Sequence, residues 1–158
     1  MDVYQVLIQD HRTIAKMFEG IAGTSNKEPE RRKQLFSDPW TALEDHETTE
    51  ENDFLPVLVE ASSFSSDAGV TTTIKEFVAE LFDDHSDFEA TFQQISKLSP
   101  NNDEWLERVN GLGSLVREHA HKEEDKLFPA ARRELDQTRA EEIGRQIRAG
   151  ARRGPDAR

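Results

Sequence analysis

A motif written twice constrains this chain more than any other feature. His119, Glu123, Glu124, Leu127, Phe128 and Pro129 repeat the spacing of His46, Glu50, Glu51, Phe54, Leu55 and Pro56 at an offset of 73 residues. Residues four apart on a helix lie one above the other, so each His and the Glu one turn later aim at a common point. An imidazole and a carboxylate converging in this way supply half of a metal site. Two copies predict a whole one.

The repeat extends further. Asp10, His11, Ile14, Phe18 and Ile21 match Asp84, His85, Phe88, Phe92 and Ile95 at an offset of 74, and Leu7 matches Leu81. Phe36 and Leu43 match Val109 and Val116 at the offset of 73. Apolar residues recur three, four or seven apart in each segment, which is the amphipathic helical period. The pattern predicts helices over residues 2–22, 29–61, 71–98 and 103–135, with loops at 62–69 and 99–103. Short connections make successive helices antiparallel, so residues 1–136 are expected to form an all-α, up-down-up-down four-helix bundle. Pro39 and Pro56 fall inside the second segment and are expected to kink or break it at about 3 kcal/mol each. A Thr138 to Glu141 capping box is expected to start a short fifth helix, followed by a flexible basic tail over residues 150–158.

Composition limits what such a bundle does. The 158 residues carry a net charge of -12, which disfavours nucleic acid and anionic membrane surfaces as partners. There is no Cys, hence no disulfide, no thiolate metal site and no thiol nucleophile. No apolar run approaches the roughly 20 residues of a spanning helix, and the N-terminus lacks a signal-peptide pattern, so a cytoplasmic location is expected.

His11, His46, His85 and His119 each fall on the apolar stripe of a different helix, and Glu50, Glu89 and Glu123 follow three of them at +4. Buried together without a partner, these groups would each cost several kcal/mol, and a multivalent cation removes that cost. Imidazole with carboxylate suits iron, manganese or zinc, and the number of imidazoles tilts the choice to iron. Seven side chains exceed what one six-coordinate ion ordinarily takes and can serve two ions. His121 is two residues from His119 and is read as solvent-facing, while Glu51 and Glu124 are candidates for orienting an imidazole.

His11, the His46 to Glu50 pair, His85 and the His119 to Glu123 pair, with the Glu-Glu and Phe/Leu-Pro extensions, resemble the hemerythrin-like (HHE cation-binding) family over residues 2–135. The resemblance implies a non-haem di-iron centre of two iron ions in the bundle core, held by His11, His46, Glu50, His85, His119 and Glu123. Glu50 and Glu123 would be the bridging carboxylates. It further implies small ligands such as oxygen, hydrogen peroxide or nitric oxide. Oxygen-carrying members have a His where Glu89 stands, and an Asp at +5 from the last His where this chain has Glu123 at +4. One imidazole fewer and one carboxylate more favour ferric iron and disfavour reversible oxygen carriage. The expected activity is therefore reaction with oxygen or peroxide, including catalase-like decomposition. The alternatives are an oxygen, nitric oxide or iron sensor without turnover, and a structural mononuclear, zinc-filled or metal-free bundle.

Overall fold

The computed structural model describes residues 1–151, and every described element is helical. α1 is Val3–Ala22 and α2 is Pro29–Thr49. A single π-helical turn, π1 (Glu50–Phe54), joins α2 directly to α3 (Leu55–Ser62). α4 is Ala68–Ser96, and α5 (Asp103–Lys122) continues through a second π turn, π2 (Glu123–Leu127), into α6 (Phe128–Glu134). α7, Gln137–Ala151, closes the chain over the bundle. The result is the expected antiparallel four-helix bundle with a fifth helix added. Of the expected tail, residues 150 and 151 belong to α7, and residues 152–158 lie outside the described residues.

Local chemistry sets the ends. Asp2 caps α1 through a reciprocal box with Gln5, the Asp2 carboxylate accepting from the Gln5 N–H at 2.9 Å and Gln5 Oε1 from the Asp2 N–H at 3.0 Å. Asn102 caps α5 by accepting from the Glu104 N–H at 3.0 Å. α4 starts at Ala68, earlier than residue 71, because Asp67 accepts from the Gly69 N–H at 2.9 Å. α7 starts ahead of Thr138: the Asp136 carboxylate, not a Thr138 box, accepts from the Arg139 N–H at 2.8 Å. Gly144 lets α7 press on the start of α1, since a Cβ there would lie 2.7 Å from Met1 O.

Pro39 leaves its helix unbroken, whereas before Pro56 the expected interruption takes the form of a π turn. α2 runs unbroken through Pro39, which is buried on the same side as Phe36, Trp40 and Leu43. Packing of that stripe offsets the missing hydrogen bond. Pro56 and Pro129 lie just after the π turns, where the ring would meet the carbonyl four residues earlier in a regular α-helix. Widening the turn removes the conflict. The Leu55 N–H donates to Glu50 O and the Phe128 N–H to Glu123 O, both five residues back. One extra residue per turn rotates two consecutive side chains inward, so Phe54 with Leu55 and Leu127 with Phe128 are all buried.

Two apolar layers fill the interior. Leu7, Phe54, Leu55, Leu81, Leu127, Phe128 and the inner face of α7 form one, while Ile14, Phe18, Leu43, Phe88, Leu112 and Val116 belong to the other. Each helix crosses from one layer to the other at its histidine: His11 falls between Leu7 and Ile14, and His85 between Leu81 and Phe88. A polar sheet of side chains therefore separates two greasy ones. At the far end Arg32 is buried, donating to Thr24 O and Thr24 Oγ1 at 3.1 Å each and to Pro100 O at 2.8 Å. It ties the α1–α2 connection to the α4–α5 turn. Arg32→Ala should strand those acceptors and lower unfolding stability by about 3 kcal/mol, read by urea denaturation; a loss under about 0.5 kcal/mol would contradict this role.

Candidate metal centre

His11, His46, His85 and His119 converge with Glu50 and Glu123, and all six side chains are buried. Glu50 and Glu123 are fully buried, at 0% exposure, so bulk solvent does not reach their carboxylates. The Glu50 carboxylate spans the cluster, with Oε1 3.2 Å from His46 Nε2 and Oε2 3.3 Å from His85 Nε2 and 3.7 Å from His119 Nε2. Glu123 does the same from the opposite helix. Its Oε2 is 3.0 Å from His11 Nε2 and its Oε1 3.6 Å from His119 Nε2. Each carboxylate thus offers one oxygen to the His11/His46 pair and the other to the His85/His119 pair.

The four Nε2 atoms and the four carboxylate oxygens are buried and have no hydrogen-bond partner. Leaving such groups unpaired costs about 1–3 kcal/mol each, more when charged. A cation at the centre satisfies all of them at once, and the imidazole-carboxylate donor set suits borderline first-row metals. Two groupings meet the spacing a metal ion requires: His11, His46, Glu50 and Glu123, and Glu50, His85 and His119. Glu50 is common to both.

The outward nitrogens face a second ring of carboxylates. His11 Nδ1 is 2.8 Å from Glu124 Oε1, His85 Nδ1 is 2.7 Å from Glu51 Oε1, and His119 Nδ1 is 3.1 Å from Asp84 Oδ2. His46 Nδ1 faces Asp10 Oδ2 at a longer 3.6 Å. A carboxylate at Nδ1 keeps the proton there, which leaves the Nε2 lone pair free and aims it inward. The partners obey the internal repeat: Glu124 serves His11 as Glu51 serves His85, and Asp84 serves His119 as Asp10 faces His46. Glu51 and Glu124 were legible as orienting groups. Asp10 and Asp84 were visible in the repeat, but their role needs the helix packing, because each serves a histidine of a neighbouring helix rather than the one beside it.

Electrostatics follow from this crowding. Burial disfavours the charged form of His46, yet Glu50 and Asp10 outweigh it and raise its pKa well above the usual imidazole value. Burial likewise opposes charge on His85, and Glu50 and Glu51 overcome it, giving about 9. The two central carboxylates part company: burial pushes Glu123 up, with Glu50 adding to it, whereas the surrounding imidazoles, His46 foremost, overcome burial and pull Glu50 well down. Burial also pushes Glu47 up to about 7, against the pull of His85 and His119.

Glu89 does not join the cluster. It is exposed, and its Oε1 accepts from Gln93 Nε2 at 2.7 Å on the solvent face of α4. That corrects the sequence expectation of a seventh ligand there. His121 is exposed, as expected.

A helical bundle whose polar midsection presents four imidazoles and two spanning carboxylates defines a cation-binding four-helix protein. The chain belongs to the hemerythrin HHE cation-binding domain family, whose model matches residues 2–131. Its fold is that of a hemerythrin HHE cation-binding domain-containing protein from Mycobacterium kansasii, with a TM-score of 0.79 at 18% identity over 97% of this chain and 86% of that one. It is also 25% identical over 149 residues to a DNA nickase of Nostoc sp., covering 94% of this chain. The chain spans 39% of that relative's length. Among the described residues no helix is long and apolar enough to cross a membrane.

Proposed function

We propose that the chain holds two iron ions, one on His11 and His46 and one on His85 and His119, with Glu50 and Glu123 bridging them. The site so formed reacts with oxygen or hydrogen peroxide, with catalase-like peroxide decomposition as the concrete activity. The observation that carries this reading is the opposed pair of carboxylates, each with one oxygen toward each imidazole pair and none of those oxygens hydrogen-bonded. Iron bound there supplies one-electron redox chemistry and coordination positions for a small oxidant. The chain's own residues do the rest. Glu51, Asp84 and Glu124 hold the Nδ1 protons of His85, His119 and His11 and so fix ring orientation. Phe128 stacks parallel to the His11 ring at 6.3 Å, and Phe88 meets His119 edge-on at 5.3 Å. These apolar walls keep bulk water from the cluster and confine a bound oxidant.

A second reading is an oxygen, nitric oxide or iron sensing module without turnover. It is favoured by the convergence of histidines from α1, α2, α4 and α5 on one buried cluster, because a change of ligand state there bears on the packing of all four helices. Oxygen evolution on adding peroxide to the iron-loaded protein separates the two. Sustained release over many turnovers per iron supports the enzyme; a single reaction per site and no more would overturn it in favour of the sensor. For the ligand set, His119→Ala should remove most bound iron while His121→Ala retains it, read by elemental analysis. Equal iron in both variants would sink the assignment.

A further inference from the structure

Four carboxylates stand outside the cluster, one at each histidine Nδ1, and the internal repeat pairs Glu51 with Glu124 and Asp10 with Asp84. One of the four differs from the rest. The Lys122 ammonium donates to Asp84 Oδ1 at 3.1 Å and to Oδ2 at 3.0 Å, and Oδ2 is the oxygen that faces His119 Nδ1 at 3.1 Å. Among the described residues, Asp10, Glu51 and Glu124 form ion pairs with their histidines alone. At the offset of 73 residues the equivalent of Lys122 is Thr49, which has no charge to offer Asp10. The two aspartates also sit differently. The Asp84 side chain is 21% exposed and within hydrogen-bond distance of its imidazole, whereas that of Asp10 is 42% exposed and 3.6 Å from His46 Nδ1.

A carboxylate at Nδ1 raises the basicity that an imidazole presents to a metal at Nε2. One already held by an ammonium raises it less, because the neighbouring positive charge offsets its own. Resting on the two-metal reading above, we infer that Lys122 is a positioning residue: it clamps Asp84 against His119 and offsets its charge, so that iron on His85 and His119 is easier to reduce than it would be beside a free Asp84. The clamp follows from helix geometry. Lys122 lies three residues after His119 on α5, so ammonium and imidazole leave one helix face and close on a single carboxylate of α4. The redox effect follows from sign, since positive charge beside the ligands of an iron centre favours its lower oxidation state. A change at Lys122 therefore acts on one metal position and largely spares the other, whose histidines face Asp10 and Glu124.

The test is a potentiometric titration of the iron-loaded protein, followed by the absorption of the oxidised cluster. Lys122→Met keeps the apolar stem and removes the charge. It should make one of the two one-electron reductions about tenfold less favourable, a fall of about 59 mV, and move the other less than about threefold. Lys122→Arg keeps a cation with N–H donors and should hold both steps within about twofold of the wild type. Lys16→Met removes the same charge from an exposed position on α1 and should also leave both within about twofold. Asp84→Asn, which takes away the carboxylate itself, should shift the same step in the opposite direction, and it holds the test open if Lys122→Met loads iron poorly. An unchanged or more favourable step in Lys122→Met, equal movement of both steps, a fall of the same size in Lys122→Arg or Lys16→Met, or no shift in Asp84→Asn would overturn this inference while leaving the two-metal reading intact. Uptake of only one iron by the wild type would overturn the two-metal reading, and this inference with it.

Discussion

Glu50→Ala is expected to cost the chain nearly all of its bound metal, more than any single histidine change. Its oxygens lie 3.2 Å from His46 Nε2 and 3.3 Å from His85 Nε2, so one substitution removes a donor from both imidazole pairs. It also removes the charge that, after burial, most influences His46. Two imidazoles on each side then face one another with only Glu123 to neutralise a cation, and loss of a charged bridging ligand should weaken binding by at least about a hundredfold. Glu89→Ala is the matched control on the same kind of residue: an exposed carboxylate bonded to Gln93, whose removal should leave metal content unchanged. Elemental analysis of the two purified variants checks this. Full metal in Glu50→Ala, or depletion in Glu89→Ala, would mean that the cluster is not where the metal resides.

Stripping the metal should lower Tm by on the order of 10 °C, because a ligand at a thousand times its Kd contributes about 4 kcal/mol and each kcal/mol moves Tm by about 2–4 °C in a chain of this size. The gap between loaded and stripped protein should depend on pH, with a sign that follows from His85. In the metal-free chain its pKa is raised to about 9, so its contribution to stability is fully present below the ordinary imidazole pKa and is lost as pH rises through about 9. Metal needs the unprotonated Nε2 and gains as those protons leave. The Tm difference should therefore widen from pH 6 to pH 9, with protons released on metal addition at pH 7. Differential scanning calorimetry across that range reads it; a gap that narrows with rising pH would contradict the assignment of buried, proton-binding imidazoles at the cluster.

Much of this architecture is readable from spacing alone, and the departures have identifiable causes. The histidines could be placed because each interrupts an apolar stripe that the fold must bury, and because the interruption recurs at a fixed offset. Glu89 misled because the +4 rule treats the stripe as centred on the histidine. On α4 the buried residues Ile74, Leu81, Phe88 and Ile95 lie to one side of His85, and at 100° per residue Glu89 falls about 90° from their centre. Pro56 announced a disturbance, which its repeat partner Pro129 shares, but not its kind. A π turn differs from a break by continuing the helix while adding a residue, and the burial of Phe54 with Leu55 and of Leu127 with Phe128 reveals it. The partners of the histidine Nδ1 atoms were half legible: Glu51 and Glu124 by their adjacency to the bridging Glu residues, Asp10 and Asp84 only once neighbouring helices had a relative rotation. Arg32 carried no sequence signal, since its partners Thr24 and Pro100 come from two connections far apart in the chain.

The most direct measurement of the central claim is metal content per chain, by elemental analysis of iron, manganese and zinc, on protein produced with iron sufficient. The account predicts about two irons per chain, with a near-ultraviolet charge-transfer band in the oxidised protein. One metal or fewer per chain, or zinc filling the cluster in place of iron, would contradict it and leave the His/Glu layer as structural polarity between two apolar cores.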